Sequence, residues 1–255
     1  MVHEAPRLIC AIVAALALIA SPGMAGAGRP LDTEDTGTAE RVEVELGATY
    51  ETASDGDTGD AAIVVNVGLR ENLEVNVQGT LAVVDPPDAG VRGGVGDTVL
   101  GVKYRFLDEA PPWPALLGRL TLRLPTGDET RGLGVDGVDI GVLLAASRTR
   151  GSLTLTANVG YTITTGDADV VILAASVEWA PGGAWRLVGE IAGEVAVGRA
   201  AADTAVVRIG AARDVLDAGD APGLLRKATL DGAIGIGLTS ASPDAVVTIG
   251  FTLVF

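Results

Sequence analysis

The sequence has almost none of the side chains on which nucleophilic and zinc chemistry depend. Its 255 residues include one cysteine, Cys10, and one histidine, His3. Both fall in an N-terminal stretch that we expect to be removed on export. The remaining chain then has no disulfide, no Ser-His-Asp triad, no cysteine nucleophile and none of the usual zinc ligand sets. We predict that the protein is not an enzyme and has no catalytic residues, no cofactor and no metal.

Long apolar runs are also scarce. A membrane-spanning helix needs about 20 consecutive apolar residues, and the body of the chain never has them. The one longer run, residues 8–20, follows Arg7 and precedes the small residues of "SPGMAGAG". A basic flank, an apolar run and small residues are typical of a secretory signal peptide. We predict a signal peptide over residues 1–27, with cleavage after Ala25 or Ala27, and an exported protein.

Positive charge is in short supply. The chain has 18 lysines and arginines against 33 acids, a net charge of −15. Removal of the signal peptide leaves this balance unchanged, because Glu4 and Arg7 depart together. An acidic chain is a poor ligand for nucleic-acid phosphates. We therefore exclude nucleic acid as a partner.

What the chain has in abundance is alternation of apolar and polar residues. In "RVEVELGATY" (41–50), Val42, Val44 and Leu46 share one face, while Glu43 and Glu45 share the other. This period of two predicts β-strands, and no comparable stretch has the 3.6-residue period of an amphipathic helix. The same pattern predicts twelve strands, at residues 41–51, 62–69, 73–83, 98–106, 118–124, 138–146, 152–163, 170–179, 184–195, 204–212, 226–238 and 246–255.

The lengths and connections of these strands indicate their environment. Several are about ten residues long, which suits a tilted strand crossing a bilayer. Tight turns such as 70–72 alternate with long Gly- and Asp-rich loops such as 52–61, although 107–117 and 213–225 are longer than expected. We predict an all-β fold, a transmembrane antiparallel up-and-down β-barrel of about 12 strands and outer-membrane type over residues 41–255. An acidic periplasmic lead, residues 28–40, precedes it. A soluble sandwich or lipocalin-like barrel is the alternative, and the signal peptide weighs against it.

Charged residues collect on the face that would line the lumen. The predicted lining residues are Lys103, Arg105, Arg119, Arg123, Glu74, Glu178, Glu190, Glu194 and Arg208. Bases and acids are close to balance on this face, with the bases concentrated in segments 98–106 and 118–124. Barrels of 16–18 strands leave an aqueous channel and small barrels fill their interior, so a narrow pore and a salt-bridged, closed bore remain equal alternatives.

Aromatic residues are few, only 4% of the chain, and most fall on the apolar face. Trp179 and Trp185 flank the turn at 180–183, and Tyr161 ends another strand. We predict that these three lie at the membrane interface. The chain ends on Phe255, with Leu253, Phe251 and Ile249 at alternate positions before it. This pattern is typical of the C-terminal signature that barrel-insertion machinery recognises.

Two stretches carry a closer likeness to a known family. Residues 29–51 form an acidic lead followed by the first strand, and residues 120–162 contain "LPTGD" (124–128), the Gly-rich "GLGVDGVD" (132–139) and "NVGY" (158–161). Both resemble the MetA-pathway of phenol degradation family of outer-membrane transporters. The resemblance implies a passive channel linked to the uptake of aromatic or other small compounds, and it transfers no catalytic residues.

From these observations we expect an outer-membrane channel or transporter for small solutes, aromatic compounds included. The alternatives are a closed structural or adhesion barrel with a salt-bridged lumen and, less favoured because histidine is missing, a barrel hydrolase. The expected partners are outer-membrane lipid, lipopolysaccharide, the insertion machinery and a small solute. The acidic loops either keep the water-facing end soluble or bind divalent cations.

The C-terminal signature makes a testable prediction. Deleting Phe255, or replacing it with a charged residue, should sharply lower the amount of protein inserted in the outer membrane, because the change removes both a recognition element and an apolar contact. Thr252→Ala, on the other face of the same strand, is the matched control. The measurement is the yield of heat-modifiable protein in the outer-membrane fraction, and equal yields for the two variants would contradict the assignment.

Overall fold

A computed structural model describes residues 31–86, 90–166, 168–198, 202–219 and 224–255. The predicted signal peptide and its cleavage site lie outside these residues. The described residues contain one short 3-10 helix, Glu129–Arg131, and thirteen strands. The strands are β1 (Val42–Thr52), β2 (Asp57–Arg70), β3 (Leu73–Asp85), β4 (Arg92–Val95), β5 (Thr98–Leu107), β6 (Ala115–Leu124), β7 (Asp139–Arg150), β8 (Leu153–Ile163), β9 (Asp169–Gly182), β10 (Trp185–Val197), β11 (Thr204–Asp217), β12 (Lys227–Gly237) and β13 (Ala245–Val254).

Twelve of these strands form a closed antiparallel circuit. Consecutive barrel strands pair along the chain, and β13 returns to pair with β1, with Phe251 opposite Leu46 and Leu253 opposite Val44. The short β4 pairs only with β3 and lies within the connection to β5. Closure leaves no open sheet edge, which is the condition for a β-structure in lipid. The prediction of an all-β, twelve-stranded barrel is confirmed.

The two faces of the barrel wall have opposite chemistry. On β7, Val142 and Leu144 keep 51% and 56% of their surface exposed, whereas Leu143 between them is buried. Most exposed large side chains are apolar, while the buried set includes Glu74, Lys103 and Arg208. A protein in water has the reverse distribution, so the apolar outer face of this barrel matches lipid. In the described part of the chain, no helix is long and apolar enough to cross a membrane.

Several predicted strand boundaries differ from the structure, and the largest differences are at β2 and β11. β2 begins at Asp57 and not at residue 62, so the connection after β1 shrinks to residues 53–56, and β11 continues to Asp217 through part of a predicted loop. In both places the ladder to a neighbouring strand overrides the local composition: Tyr50 pairs with Gly59 in the polar start of β2, and Asp217 pairs with Lys227 at the end of β11. Local β propensity depends strongly on such neighbours.

Other connections are as tight as expected. β7 and β8 are joined by Gly151 and Ser152 alone, and Gly151 has a φ of 62°. Two-residue hairpins of this kind require a residue with positive φ, which glycine adopts without steric cost. The opposite end of the barrel has the connection between β3 and β5, which includes β4, and the connection between β6 and β7.

The two-faced wall predicts how substitutions act. Leu144→Arg puts a charge on the lipid-facing surface and should destabilise the folded barrel by about 2–4 kcal/mol if it lies near the midplane. Leu224→Arg is the matched control, because Leu224 is exposed in the connection between β11 and β12; that change should fall within about 0.5 kcal/mol. Equilibrium denaturation in lipid vesicles measures both, and equal effects would contradict the orientation of β7.

Candidate functional site: the lumen and its N-terminal segment

A row of charged side chains crosses the inner wall. Glu74 on β3 lies directly opposite Lys103 on β5, and Lys103 lies opposite Arg119 on β6. Directly opposed residues in a sheet point to the same face, so the three side chains form one row. A second pair, Glu190 on β10 and Arg208 on β11, is also directly opposed. All five residues are buried, and they are the centre of the predicted lumen lining.

Residues 31–40, here called the N-terminal segment, lie between these two groups. The carboxylate of Glu34 contacts both bases of the row, with its Oε1 2.8 Å from the Nζ of Lys103 and its Oε2 accepting a hydrogen bond from the Nη1 of Arg119. Asn158 on β8 holds the backbone of the same residue: its Oδ1 accepts from Glu34 N at 2.7 Å and its Nδ2 donates to Glu34 O at 2.8 Å. The segment therefore crosses the bore.

The first described residues of the segment contact the second pair. The carboxylate of Asp32 accepts a hydrogen bond from the Nη1 of Arg208, which also lies 2.9 Å from Glu190 Oε1. Glu190 in turn accepts hydrogen bonds from the backbone N–H of Asp32 and from the N–H and hydroxyl of Thr33. One arginine and one glutamate on the wall thus bind four groups of the segment.

The last residues of the segment are held at the turn end of the barrel. Ala39 N donates to Glu74 Oε2 at 2.7 Å, and the Thr38 hydroxyl donates to the carbonyl of Glu71 at 2.8 Å. The segment passes so close to β2 that a Cβ on Gly68 would lie 1.8 Å from the carbonyl oxygen of Ala39. Only glycine permits such an approach. Sequence reasoning assigned this stretch to a periplasmic lead and did not anticipate the lumen contacts.

The segment does not fill the bore completely. A cavity of about 10 Å³ lies beside Leu31–Glu34 and is lined on the wall side by Glu45, Val64, Asn66, Asn76, Gln78, Lys103 and Arg119. The lining is mostly polar, and Asn66 Nδ2 donates to Glu45 Oε1 at 2.6 Å. A mostly polar gap of this size suits a single water molecule.

The loop end of the barrel is organised by one buried carboxylate. Asp97, between β4 and β5, accepts hydrogen bonds from Arg123 Nε at 2.7 Å and from the backbone N–H of Gly127 and Val135 at 3.0 Å each. These contacts fold the connection between β6 and β7 toward β4, where Arg131 donates to the carbonyl of Gly93. The connection therefore has a defined conformation at the mouth.

The remaining predicted lining residues lie nearer the two ends. Arg105 pairs with Asp108 at the turn end and donates to the carbonyl of Thr36. Glu178 lies 3.7 Å from Arg186. Arg123 binds Asp97 at the loop end, as described above, and Glu194 is half-buried on β10. The bases on β5 and β6 thus bind the N-terminal segment, Asp97 and Asp108 as well as Glu74, a set of partners that sequence periodicity does not identify.

The two tryptophans predicted to lie at the membrane interface are half-exposed on the outer face, and Tyr161 lies near the end of β8. Trp179 and Trp185 lie beside the turn between β9 and β10, and the guanidinium of Arg213 is 5.2 Å from the ring centre of Trp185. The hydroxyl of Tyr161 donates to Asp169 at the loop end, so Tyr161 and the tryptophans mark opposite ends of the barrel. In β13, Ile249, Phe251 and Leu253 pair with Ala48, Leu46 and Val44 of β1, and Phe255 N donates to the carbonyl of Val42 at 2.9 Å.

Solved structures share this architecture. The NanC porin superposes with a TM-score of 0.59 at 8% sequence identity, over 83% of this chain and 100% of the porin chain. The COG4313 outer membrane channel from Pseudomonas putida F1 superposes with a TM-score of 0.58 at 17% identity, over 89% and 99% of the two chains. At these identities the likeness establishes the fold, and the class is the outer-membrane β-barrel.

The particular family follows from the sequence profile. The family described as "Putative MetA-pathway of phenol degradation" matches residues 27–214, which is more than half of the chain. The protein belongs to this family, as the motifs at 124–128 and 158–161 suggested. A sequence search of curated proteins finds no match.

The Asp97 contacts predict the behaviour of the mouth. Asp97→Ala removes three hydrogen bonds to a charged acceptor, each typically about 1.5–3 kcal/mol. The connection between β6 and β7 should then open more often, and trypsin should cut after Arg131 about tenfold faster or more, since cleavage tracks the open population.

Asp128→Ala is the control for this measurement. Asp128 lies on the same connection but is exposed, and the hydroxyl of Thr130 donates a local hydrogen bond that lowers the pKa of its carboxyl group. Its loss should leave the cleavage rate nearly unchanged. A similar acceleration in both variants would mean that Asp97 does not hold the mouth.

Proposed function

We propose that the protein is a passive outer-membrane channel for small solutes and that the N-terminal segment controls how far the channel opens. The observation that carries the proposal is a charge-lined lumen occupied by a segment of the same chain and held there without covalent links. An inner wall this polar would be unfavourable in contact with lipid, and it suits contact with water and dissolved solutes. The family assignment supports small aromatic compounds among those solutes.

The chemistry of the segment supports reversible displacement. Within residues 31–40, Leu31 and Ala39 are the only apolar side chains larger than glycine. The other contacts are hydrogen bonds and ion pairs, which water can replace when the segment leaves the bore. Displacement therefore exposes little apolar surface, and the main cost is the rupture of the ion pairs around Arg119 and Arg208.

The same contacts favour a second candidate, a closed structural barrel. If the segment never leaves, the ion pairs serve stability alone. The proposed partners are the same in both cases, namely outer-membrane lipid, lipopolysaccharide and the insertion machinery. Conductance separates the two candidates, because only the channel carries ions.

The experiment is a conductance measurement in planar bilayers. Changing Asp32, Thr33 and Glu34 together to alanine removes the side-chain contacts of the segment with both wall groups, and we expect the single-channel conductance or the open fraction to rise at least about twofold. Glu40→Ala is the matched control, because Glu40 is an exposed acid in the same segment; it should behave as the unaltered chain. Absence of conductance in all three proteins would establish the closed barrel.

A further inference from the structure

The N-terminal segment contacts two groups of wall residues, the row of Glu74, Lys103 and Arg119 and the pair of Glu190 and Arg208. The two groups differ in the ion pairs that they keep when the segment leaves the bore. Departure of Asp32 leaves Arg208 paired with Glu190 at 2.9 Å. Departure of Glu34 leaves Lys103 paired with Glu74 at 3.3 Å. Glu34 is, however, the only ion-pair partner of Arg119 among the described residues.

Arg119 is therefore the position at which displacement is most costly. Its side chain is 7% exposed, and its Nε already lacks a hydrogen-bond partner among the described residues. Water that enters the bore can solvate Arg119 but does not neutralise it, and a guanidinium in a partly enclosed lumen is unfavourable without an anion. A neutral solute that displaced the segment would leave Arg119 in this state, whereas a solute with a carboxylate would replace Glu34.

The geometry of the vacated position fits a carboxylate. The two oxygens of Glu34 bridge two cations, with Oε1 on Lys103 and Oε2 on Arg119. The planar guanidinium favours such an acceptor. Next to it lies an apolar patch on the same inner face, because Leu117 precedes Arg119 by two positions on β6 and Leu143 lies opposite Arg119 on β7.

We infer that Lys103 and Arg119 form a binding site for small organic carboxylates, which Glu34 occupies as an internal competitor while the segment is in place. The carboxylate of the solute takes the position of Glu34, and the hydrocarbon part lies toward Leu117 and Leu143. The inference rests on the proposed channel function in so far as binding is coupled to opening, and the site itself is testable without transport.

The first test is chemical rescue of Glu34→Ala in the full chain. Glu and Ala side chains differ by a CH₂–COO⁻ fragment, so acetate supplies what the variant lacks. We expect the variant to unfold at a lower temperature in detergent, and acetate to raise its midpoint by roughly 2–4 °C. Acetamide at matched ionic strength should have no effect, nor should acetate on Glu40→Ala. A Glu34→Ala midpoint that acetate leaves unchanged, or that acetamide raises equally, overturns the inference.

The second test couples the site to opening. In planar bilayers, benzoate should increase the open fraction of the unaltered channel several-fold over benzamide at the same chloride concentration. Arg119→Met should abolish this difference, and loss of folding in that variant is judged separately by its heat-modifiable migration. If conductance is present and the responses to benzoate and benzamide are equal, the carboxylate preference is overturned and the proposed channel function stands. If acetate rescues Glu34→Ala but no variant conducts ions, the carboxylate site stands and the proposed channel function is overturned.

Discussion

The structure depends on the pairing of its last strand with its first. Lipid offers no hydrogen-bond partners, so each backbone N–H and C=O in a membrane-spanning strand must be paired within the protein. The ladder between β13 and β1, from Thr52–Ala245 to Glu43–Val254, meets this condition at the only place where the circuit could remain open.

Closure also determines where charge can lie. Once the outer face is committed to Leu, Val and Ile, charged side chains in the middle of the strands point into the bore, where Glu74, Lys103 and Arg208 are buried and need partners. Neighbouring strands supply some of these partners, as in Glu190 with Arg208. Arg119 faces Leu143 across one ladder and Lys103 across the other, so its wall neighbours cannot neutralise it. The N-terminal segment provides the missing carboxylate.

A charged bore is at first sight unsuited to a family named for phenol degradation, because aromatic hydrocarbons gain nothing from ion pairs. Aromatic compounds that carry a carboxylate remove the difficulty. Their charged end matches Lys103 and Arg119, and their ring matches the apolar patch at Leu117 and Leu143. Under the proposed function, the contacts that hold the N-terminal segment and the site that would bind the solute are the same, and opening would be linked to occupancy of that site.

The sequence alone determined the fold class, the strand number and most strand positions, because the period of two is a local property of each strand. It also predicted that Glu74, Lys103, Arg119, Glu190 and Arg208 share the face opposite the apolar one, because that alternation is equally local. It missed the early start of β2 and the strand β4, where a neighbouring ladder outweighs the composition of the segment. Only the tertiary structure decided the place of the N-terminal segment. Glu34 and Arg119 are 85 residues apart and Asp32 and Arg208 are 176 apart, and no local pattern specifies which charges meet across a closed bore.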